Sequence, residues 1–336
     1  MFSASVQAVE WHTFTDTKGR QLVAQVVAVY GETAEVKLKR NFSTVTLRFS
    51  QLCEADRVYL KNWNEGKREP GEEEDSGEAD TAVDKFHPRS KSDIKATMKK
   101  ISSRKAPAGI DKAQQDAVNE LNIYRYLCGV DYDVVADADC IKWAQEAAEI
   151  CHKNRKIKHD QGAHTDKCNL SAGLPTVAGT VKQYITDAGA NNRVARGHRM
   201  WCLHPGMGKT GFGKKDKYSA MYVYDGFGRK KPSSGWSYPG KGFFPVDRLH
   251  KESWTYFHTE KLPKDLEVEV YKLSNAPDKP YSKNDEIPGN QLPTEFIKVL
   301  GARVNFEPKK DTVGRGIYWV RIKGEGFQTG YLVDLY

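Results

Sequence analysis

Histidine and cysteine side chains are concentrated in the middle third of the chain, and both residue types can bind metals or act in catalysis. Five of the nine histidines lie there: His152, His159, His164, His198 and His204. Five of the six cysteines lie there too, but none forms a CxxC pair, which argues against structural zinc of that type. Neutral imidazoles and thiolates remain good ligands for zinc or a similar divalent ion.

A cysteine–histidine nucleophilic pair is the sharpest enzymatic alternative. Cys168 with His159 or His198 beside it would form a thiolate–imidazolium dyad. A disulfide or an inert thiol is commoner for such a cysteine, and no third residue that would orient the histidine is evident. The spaced cysteines are compatible with one or two disulfides in an oxidising compartment and equally with free buried thiols, so this choice stays open.

Three helices and a strand are expected to position these side chains. Apolar residues at helical spacing predict helices over 112–127, from about 137 to 151 and from about 180 to 187. Alternation of apolar and polar residues over 218–224 predicts a strand. Helices that flank a small sheet indicate a layered domain of mixed helix and sheet.

Several motifs in this region carry a resemblance to a known family. They are, in order, the helix Asn119 to Arg125, the segment Ile157-Lys158-His159, Tyr184 to Gly189, Gly197-His198-Arg199 running on to Pro205, and Gly211-Phe212-Gly213. Over about residues 112–226 they resemble the CAP superfamily of cysteine-rich secretory, antigen 5 and pathogenesis-related 1 proteins, also called SCP-like extracellular proteins. The resemblance implies a three-layer α-β-α sandwich that encloses a cleft with two histidines and two acidic residues. Members are described as metal-binding proteins, lipid or sterol carriers, or secreted effectors.

The resemblance also implies a set of cleft residues by position. His159 and His198 match the two histidines of the family, whereas Cys168 and Asp187 stand where the family has glutamates. The implied metal ligands, with zinc as the expected ion, are His159, His198, Asp187 and Cys168. The residues expected to line the cleft beside them are His164, Arg199 and Asn169.

Two considerations weigh against catalysis at this cleft. Without the glutamate that Cys168 replaces, activation of water by a carboxylate base loses its agent, and no residue is assigned a catalytic role. The motif also has a structural interpretation, in which His198 and its neighbours only lock a strand to the helix below it.

Residues 9–63 are expected to form a separate β-module. Alternating apolar positions predict strands over 22–29, 34–38 and 44–49, followed by a short helix that runs to Trp63. Five positions here resemble the first Sla homology domain of endocytic adaptors: Trp11, Asp16, Gly19, Asp56 and Tyr59. The resemblance implies that these residues help to bind short peptide motifs on partner proteins. An SH3-like barrel that serves only as a spacer is the alternative.

Two further segments complete the expected organisation. Residues 64–92 are expected to be a disordered acidic linker, because nine acidic and two basic residues between positions 64 and 84 leave little apolar surface to bury. The CAP domain is then expected over 93–230, and strand-like segments over 240–336 predict an immunoglobulin-like β-sandwich. The expected fold class is therefore α+β, with an SH3-like module, a three-layer CAP sandwich and an all-β sandwich in that order.

Charge and hydropathy limit the range of partners. With 52 lysines and arginines against 44 acidic residues, the net charge is +8, which favours anionic partners in general. No segment approaches the ~18 consecutive apolar residues of a membrane span, and the basic runs lack a nucleic-acid-binding motif, so neither role is expected. Small residues from Ser3 to Ala8 resemble the end of a signal peptide, which predicts an exported bacterial protein that is secreted, periplasmic or in the cell envelope.

The sequence as a whole predicts a secreted binding protein. Its CAP cleft would hold a divalent metal or a small apolar, lipid-like ligand, and its flanking modules would dock it to a protein or peptide. Two alternatives are a secreted metal-dependent hydrolase or peptidase and a non-catalytic scaffold of the cell envelope.

Overall fold

The computed structural model describes residues 11–30, 33–40, 43–66, 85–187, 189, 192–225, 234–250, 253–309 and 311–336. They belong to two compact units, residues 1–78 and 79–336. Both helices and strands are present, so the fold is of the mixed α+β class, as the sequence predicts. The signal-like residues 3–8 lie outside the described residues.

The first unit is a four-stranded antiparallel sheet followed by one helix. Its elements are β1 (His12–Thr15), β2 (Gln21–Tyr30), β3 (Thr33–Leu38), β4 (Thr44–Arg48) and α1 (Glu54–Gly66), and the sheet order is β1-β2-β3-β4. Alternate residues of β3, namely Ala34, Val36 and Leu38, enter the core of this unit beside Phe14 and Leu60. The three strands expected from alternation are confirmed, and β1, at four residues, was too short to be predicted that way.

Five helices begin the second unit. They are α2 (Lys91–Ser102), α3 (Lys112–Leu127), α4 (Ala138–Lys153), α5 (Val177–Thr186) and α6 (Gly197–Cys202). Each of the first four starts after a residue whose side-chain oxygen accepts a hydrogen bond from a backbone N–H of the first turn: Ser90, Asp111, Asp137 and Thr176. These N-caps set where the helices begin, and the three predicted helices are present as α3, α4 and α5.

A small antiparallel sheet lies between these helices. Its strands are β6 (Cys168–Ala172), β8 (Phe212–Lys215) and β9 (Tyr218–Tyr222) in the order β6-β9-β8, and β5 (Val135–Ala136) pairs in parallel with β7 (Lys209–Thr210). Leu170 and Ala220 of the sheet share a buried cluster with Ala144 of α4. Phe212 and Met221 belong instead to the core that contains α3 and α5. The order of layers is therefore helix, sheet, helix.

The remainder of the second unit consists of strands in two sheets. The strands are β10 (Trp236–Tyr238), β11 (Gly242–Phe244), β12 (Trp254–Phe257), β13 (Glu267–Leu273), β14 (Asn290–Leu292), β15 (Thr294–Leu300), β16 (Arg303–Pro308), β17 (Gly316–Gly324) and β18 (Phe327–Leu335). One sheet has the order β10-β12-β16-β15 and the other β11-β18-β17-β13-β14. The ring of Trp254 in the first sheet lies 6.0 Å from that of Tyr318 in the second, so the two sheets face each other across aromatic side chains.

Residues 93–230 and 240–336, expected as separate domains, share one core. A continuous cluster of buried apolar side chains includes Leu121 of α3, Val181 of α5, Trp254 of β12 and Val320 of β17. The helical layer and the two β-sheets are therefore parts of one compact unit.

The segment expected to be a disordered linker differs from that expectation at both ends. Helix α1 continues to Gly66, and from residue 85 onward the chain packs within the second unit. The ring of Phe86 lies 5.8 Å from that of Trp319, and His87 Nε2 lies 3.2 Å from Asp334 Oδ2. These two contacts hold Phe86 and His87, which follow the acidic run, within the second unit. Residues 67–84 lie outside the described residues.

All six cysteines carry free thiols, so no disulfide is present. Five of them are buried, which agrees with the second of the two alternatives that the sequence left open. Within the described part of the chain, no helix combines the length and the apolar character needed to cross a membrane.

Close contact between α4 and the sheet depends on the absence of a side chain at Gly213. We therefore expect a substitution there to lower the stability of the chain. A methyl group there would lie 2.2 Å from the carbonyl carbon and oxygen of Ala144, backbone atoms that cannot move aside. Gly213→Ala is expected to lower the free energy of unfolding by about 1–3 kcal/mol. Gly314→Ala is the control, because a methyl group there meets no atom within 4 Å. Urea unfolding followed by far-ultraviolet circular dichroism measures both, and equal midpoints would contradict the prediction.

Candidate functional site

A buried carboxylate joins the end of α5 to the start of α6. Asp187 follows α5 in the left-handed conformation, with φ of 44°, and its side chain is fully buried. Its Oδ1 accepts a hydrogen bond from His198 Nδ1 at 2.9 Å, and its Oδ2 accepts from the backbone N–H groups of His198 at 2.9 Å and Arg199 at 3.3 Å. The carboxylate therefore satisfies N–H groups at the start of α6 that have no partner within the helix.

The imidazole of His198 is held in one orientation. A carboxylate can only accept, so the proton of the Nδ1 contact belongs to the ring, and Nε2 is the nitrogen left available. The ring lies 5.4 Å from that of Tyr184, and about one fifth of the side chain is exposed. Asn169 Nδ2 donates to the His198 carbonyl at 3.1 Å. No hydrogen-bond partner of Nε2 is found among the described residues, so this atom is the chemically available group of the pair.

Cys168 lies on the other side of the sheet from this pair. Successive strand residues point to opposite faces, and Cys168 packs in the cluster that contains Cys140 and Cys151 of α4, whereas its neighbour Asn169 bonds toward α6. Burial raises the pKa of the Cys168 thiol, with the nearby Asp166 charge adding to the effect. The thiol therefore stays protonated at neutral pH, and Cys168 neither joins His198 nor forms the thiolate of a nucleophilic dyad.

The other two histidines of the expected cleft have partners of their own. His159 is exposed, and its Nδ1 lies 2.7 Å from the carbonyl oxygen of Thr165. His164 adopts φ of 61°, and its Nε2 lies 3.5 Å from a carboxylate oxygen of Glu146. Its ring is 5.5 Å from that of Trp143 on α4. Both side chains are thus tied to the loop that precedes β6 or to α4.

The four expected zinc ligands are therefore not gathered into one site. Asp187 and His198 are in contact, but both carboxylate oxygens of Asp187 already accept hydrogen bonds, and Cys168 faces α4. The described residues contain no group of three or more histidine, cysteine, aspartate or glutamate side chains that could hold a metal ion. The residues present do not fit a zinc site.

Arg199, expected to line a cleft, is instead completely buried between α5, α6 and β12. Its Nε and Nη2 donate to the carbonyls of Ile185 and Thr186 at 2.6 and 2.7 Å, and Nη1 donates to Thr255 Oγ1 at 2.7 Å. The hydroxyl of Ser253 accepts a further bond from Nη2. Burial lowers the pKa of Arg199 to about 10, so the guanidinium is still charged at neutral pH. Its role is to join the helices to the β-sheet.

A second set of arginines near Asp187 was missed by sequence reasoning. Arg196 bonds to the carbonyl oxygen of Asp187 and to the carboxylate of Glu307 on β16, and Arg193 forms an ion pair of 2.7 Å with the same carboxylate. Their partner is more than a hundred residues away in the chain, and no local pattern links the two. Of the arginines near Asp187, the sequence analysis singled out Arg199 alone, through the motif Gly197-His198-Arg199.

Most of the residues expected to bind peptides in the first unit make contacts within that unit. Asp56 is buried and accepts from His12 Nε2 at 2.7 Å and from the Thr15 backbone N–H, and the ring of Tyr59 stacks on His12 at 3.6 Å. Asp16 accepts from the backbone N–H groups of Lys18 and Arg20 in a turn that Gly19 completes with φ of 79°. Trp11 is half-buried, and Lys39 Nζ lies 5.9 Å from its ring.

A groove on this unit is lined by other residues, and we call it the basic groove. It has a volume of about 350 Å³. Its apolar lining is formed by Phe14, Leu22, Leu47 and Leu52, and its charged lining by Asp16, Lys18, Arg20 and Arg48. The groove adjoins the turn formed by Asp16 and Gly19, two of the residues that the sequence predicts to bind peptides.

Loss of the Asp187 carboxylate is expected to destabilise the second unit. In Asp187→Asn the side chain keeps its shape but places an amide N–H₂ against groups that themselves donate. We expect the free energy of unfolding to fall by about 2–3 kcal/mol. The control is Glu149→Gln, which removes an exposed charge from α4 and is expected to change stability by less than about 0.5 kcal/mol. Urea unfolding curves of the two variants decide, and a similar loss in both would refute the role given to Asp187.

Stability of the first unit is expected to fall in acid through Asp56. Burial raises the pKa of this carboxyl, but hydrogen bonds from His12, the Thr15 N–H and Cys53 outweigh it and hold the pKa below its ordinary value. The stabilisation is therefore present above the ordinary pKa of about 3.9 and is lost as pH falls through the folded-state pKa. Hydrogen exchange of the β1 amides, compared between wild type and Asp56→Asn at each pH, measures it. Equal protection in the two chains at pH about 6 would contradict this assignment.

Comparison with protein-family models, with curated proteins and with solved structures found no match to this chain. The resemblances to the CAP superfamily and to the Sla homology domain therefore stay predictions.

Proposed function

We propose that this chain is a binding protein whose first unit captures a peptide that presents an apolar side chain next to an acidic one. The observation that carries the proposal is the basic groove, in which leucine and phenylalanine side chains are bordered by cations. Transfer of a partner's apolar side chain from water into such a groove is favourable. A neighbouring carboxylate of the partner is attracted by the positive charges at the border.

The charges of the basic groove are unequally paired. Arg20 forms a 2.7 Å ion pair with Asp16, the one acidic residue among the described residues of the lining. Lys18 and Arg48 are exposed and have no carboxylate partner among the described residues. Two positive charges are therefore available to a ligand, which favours an acidic peptide over a basic or neutral one.

The second unit supports the same class of function. The helix–sheet–helix layering of residues 112–222 supports the proposal that this part is a CAP domain, a family whose members include ligand carriers. The metal-dependent hydrolase alternative requires a ligand set that the described residues do not contain. No specific observation favours it, and binding remains the proposal.

Peptide binding to the full chain tests the proposal. The probe is a fluorescein-labelled peptide with one phenylalanine followed by two aspartates in a glycine–serine context, and fluorescence anisotropy gives its affinity. Replacing the phenylalanine by alanine, or both aspartates by asparagine, is expected to weaken binding by about tenfold. Arg48→Glu in the protein is expected to cause a similar loss, because it places a like charge beside the peptide carboxylates.

Arg40→Glu is the matched control for this experiment. It makes the same charge change on an exposed residue of the same unit that does not line the basic groove. The proposal fails if none of the peptides binds, or if Arg48→Glu and Arg40→Glu weaken binding equally, since a general effect of net charge would then explain the result.

A further inference from the structure

A cavity of about 200 Å³ lies in the second unit between the end of α6 and the first β-sheet. Residues from both parts line it: Met200, His204, Pro205, Trp236, Phe257, His258, Thr259, Ala302 and Arg303. The rings of Trp236 and Phe257 stack at 5.3 Å with an angle of 6° between their planes. The cavity thus has a flat aromatic wall, and its lining includes neither Asp187 nor His198 and shares no residue with the basic groove.

Arg303 gives the cavity an unbalanced positive charge. Its Nε and Nη2 donate to one backbone carbonyl, that of Ala195, at 3.1 and 2.8 Å, and Nη1 lies 3.0 Å from the sulfur of Met200. No carboxylate lies within ion-pair distance of this guanidinium in the described parts of the chain. A thioether is a weak acceptor, so Nη1 keeps most of its capacity to donate.

Other arginines of the second unit have a carboxylate partner or several neutral acceptors. Arg196 pairs with Glu307 and Arg321 with Glu269, while Arg199 donates to two carbonyls and two hydroxyls. Arg303 has neither a carboxylate partner among the described residues nor a comparable set of neutral acceptors. Burial lowers its pKa, because the charged guanidinium is partly removed from water. A partly buried charge that is left in this state is stabilised by an anion that enters the cavity.

Two histidines also line the cavity, and the Nδ1 atom of each is in contact with a backbone group. His204 Nδ1 accepts from the Gly206 N–H at 3.1 Å, and His258 Nδ1 accepts from the Glu260 N–H at 3.1 Å. The Nδ1 of His258 also lies 3.3 Å from the carbonyl oxygen of Glu260, so these contacts suit either tautomer of that ring. No aspartate or glutamate is among the described residues that line the cavity. The cavity therefore offers the positive charge of Arg303, and its rings offer apolar surface.

We propose that this cavity binds a small carboxylate with an aromatic or branched apolar body. The carboxylate pairs with the guanidinium of Arg303, and the apolar body lies against Trp236 and Phe257. The volume admits a molecule of about the size of phenylacetate. The site is independent of the proposed peptide groove, so either proposal can fail without the other.

Fluorine NMR on the full chain tests the proposal with two probes of nearly equal shape. The anionic probe is para-fluorophenylacetate and the neutral one is para-fluorophenylacetamide. We expect the acid to bind at least about tenfold more tightly than the amide. Arg303→Met, which keeps an apolar stem but removes the charge, is expected to abolish that preference, and Arg315→Met at an exposed position outside the cavity is expected to keep it.

A second variant keeps the test decisive if Arg303→Met does not fold. Ala302→Met fills the cavity from its wall and leaves Arg303 in place, and it is expected to weaken binding of the acid by about tenfold or more. Equal affinity for the acid and the amide, no binding up to about 10 mM, or unchanged binding in Ala302→Met would each overturn the proposal. Tighter binding of N-acetylphenylalanylphenylalanine than of the acid would also overturn it, because the cavity would then serve peptide carboxyl termini.

Discussion

The arrangement of the second unit depends on the buried guanidinium of Arg199. Removing a charge from water costs several kcal/mol unless its N–H groups find acceptors. Two acceptors are the carbonyls of Ile185 and Thr186 at the end of α5, and two are the hydroxyls of Ser253 and Thr255 beside and on β12. The charge is therefore satisfied only when helix and sheet are both in place, which explains why the helical layer and the β-sheets form one unit.

Asp187 acts electrostatically on three arginines around this point. Burial lowers the pKa of Arg196, Arg199 and Arg303, while the negative charge of Asp187 favours the charged form of each. Arg196 has a carboxylate of its own and Arg199 has neutral acceptors, but Arg303 has little besides one carbonyl. The charge of one buried carboxylate thus acts on three arginines, of which Arg303, at the cavity, has no carboxylate partner among the described residues.

Local features of the fold could be read from the sequence, whereas the long-range polar contacts could not. Helical spacing of apolar residues locates α3, and alternation locates β2 to β4, because both signals lie within a few residues. The expected metal site failed for a related reason. Strand β6 was not predicted, so the rule that adjacent strand residues face opposite sides could not be applied to Cys168 and Asn169. The bonds from Arg199 to β12 join residues more than fifty positions apart and leave no local pattern.

The buried cysteines restrict the redox chemistry of this chain. Burial raises the pKa of all five thiols in the second unit. For Cys128 and Cys140 the raised pKa is about 12. Thiol–disulfide exchange and oxidation by peroxide both proceed through the thiolate, which such thiols hardly form, and the packed core also excludes the reagent. Cys53, the one cysteine that is not buried, is therefore the thiol that an oxidant reaches most readily in the folded chain.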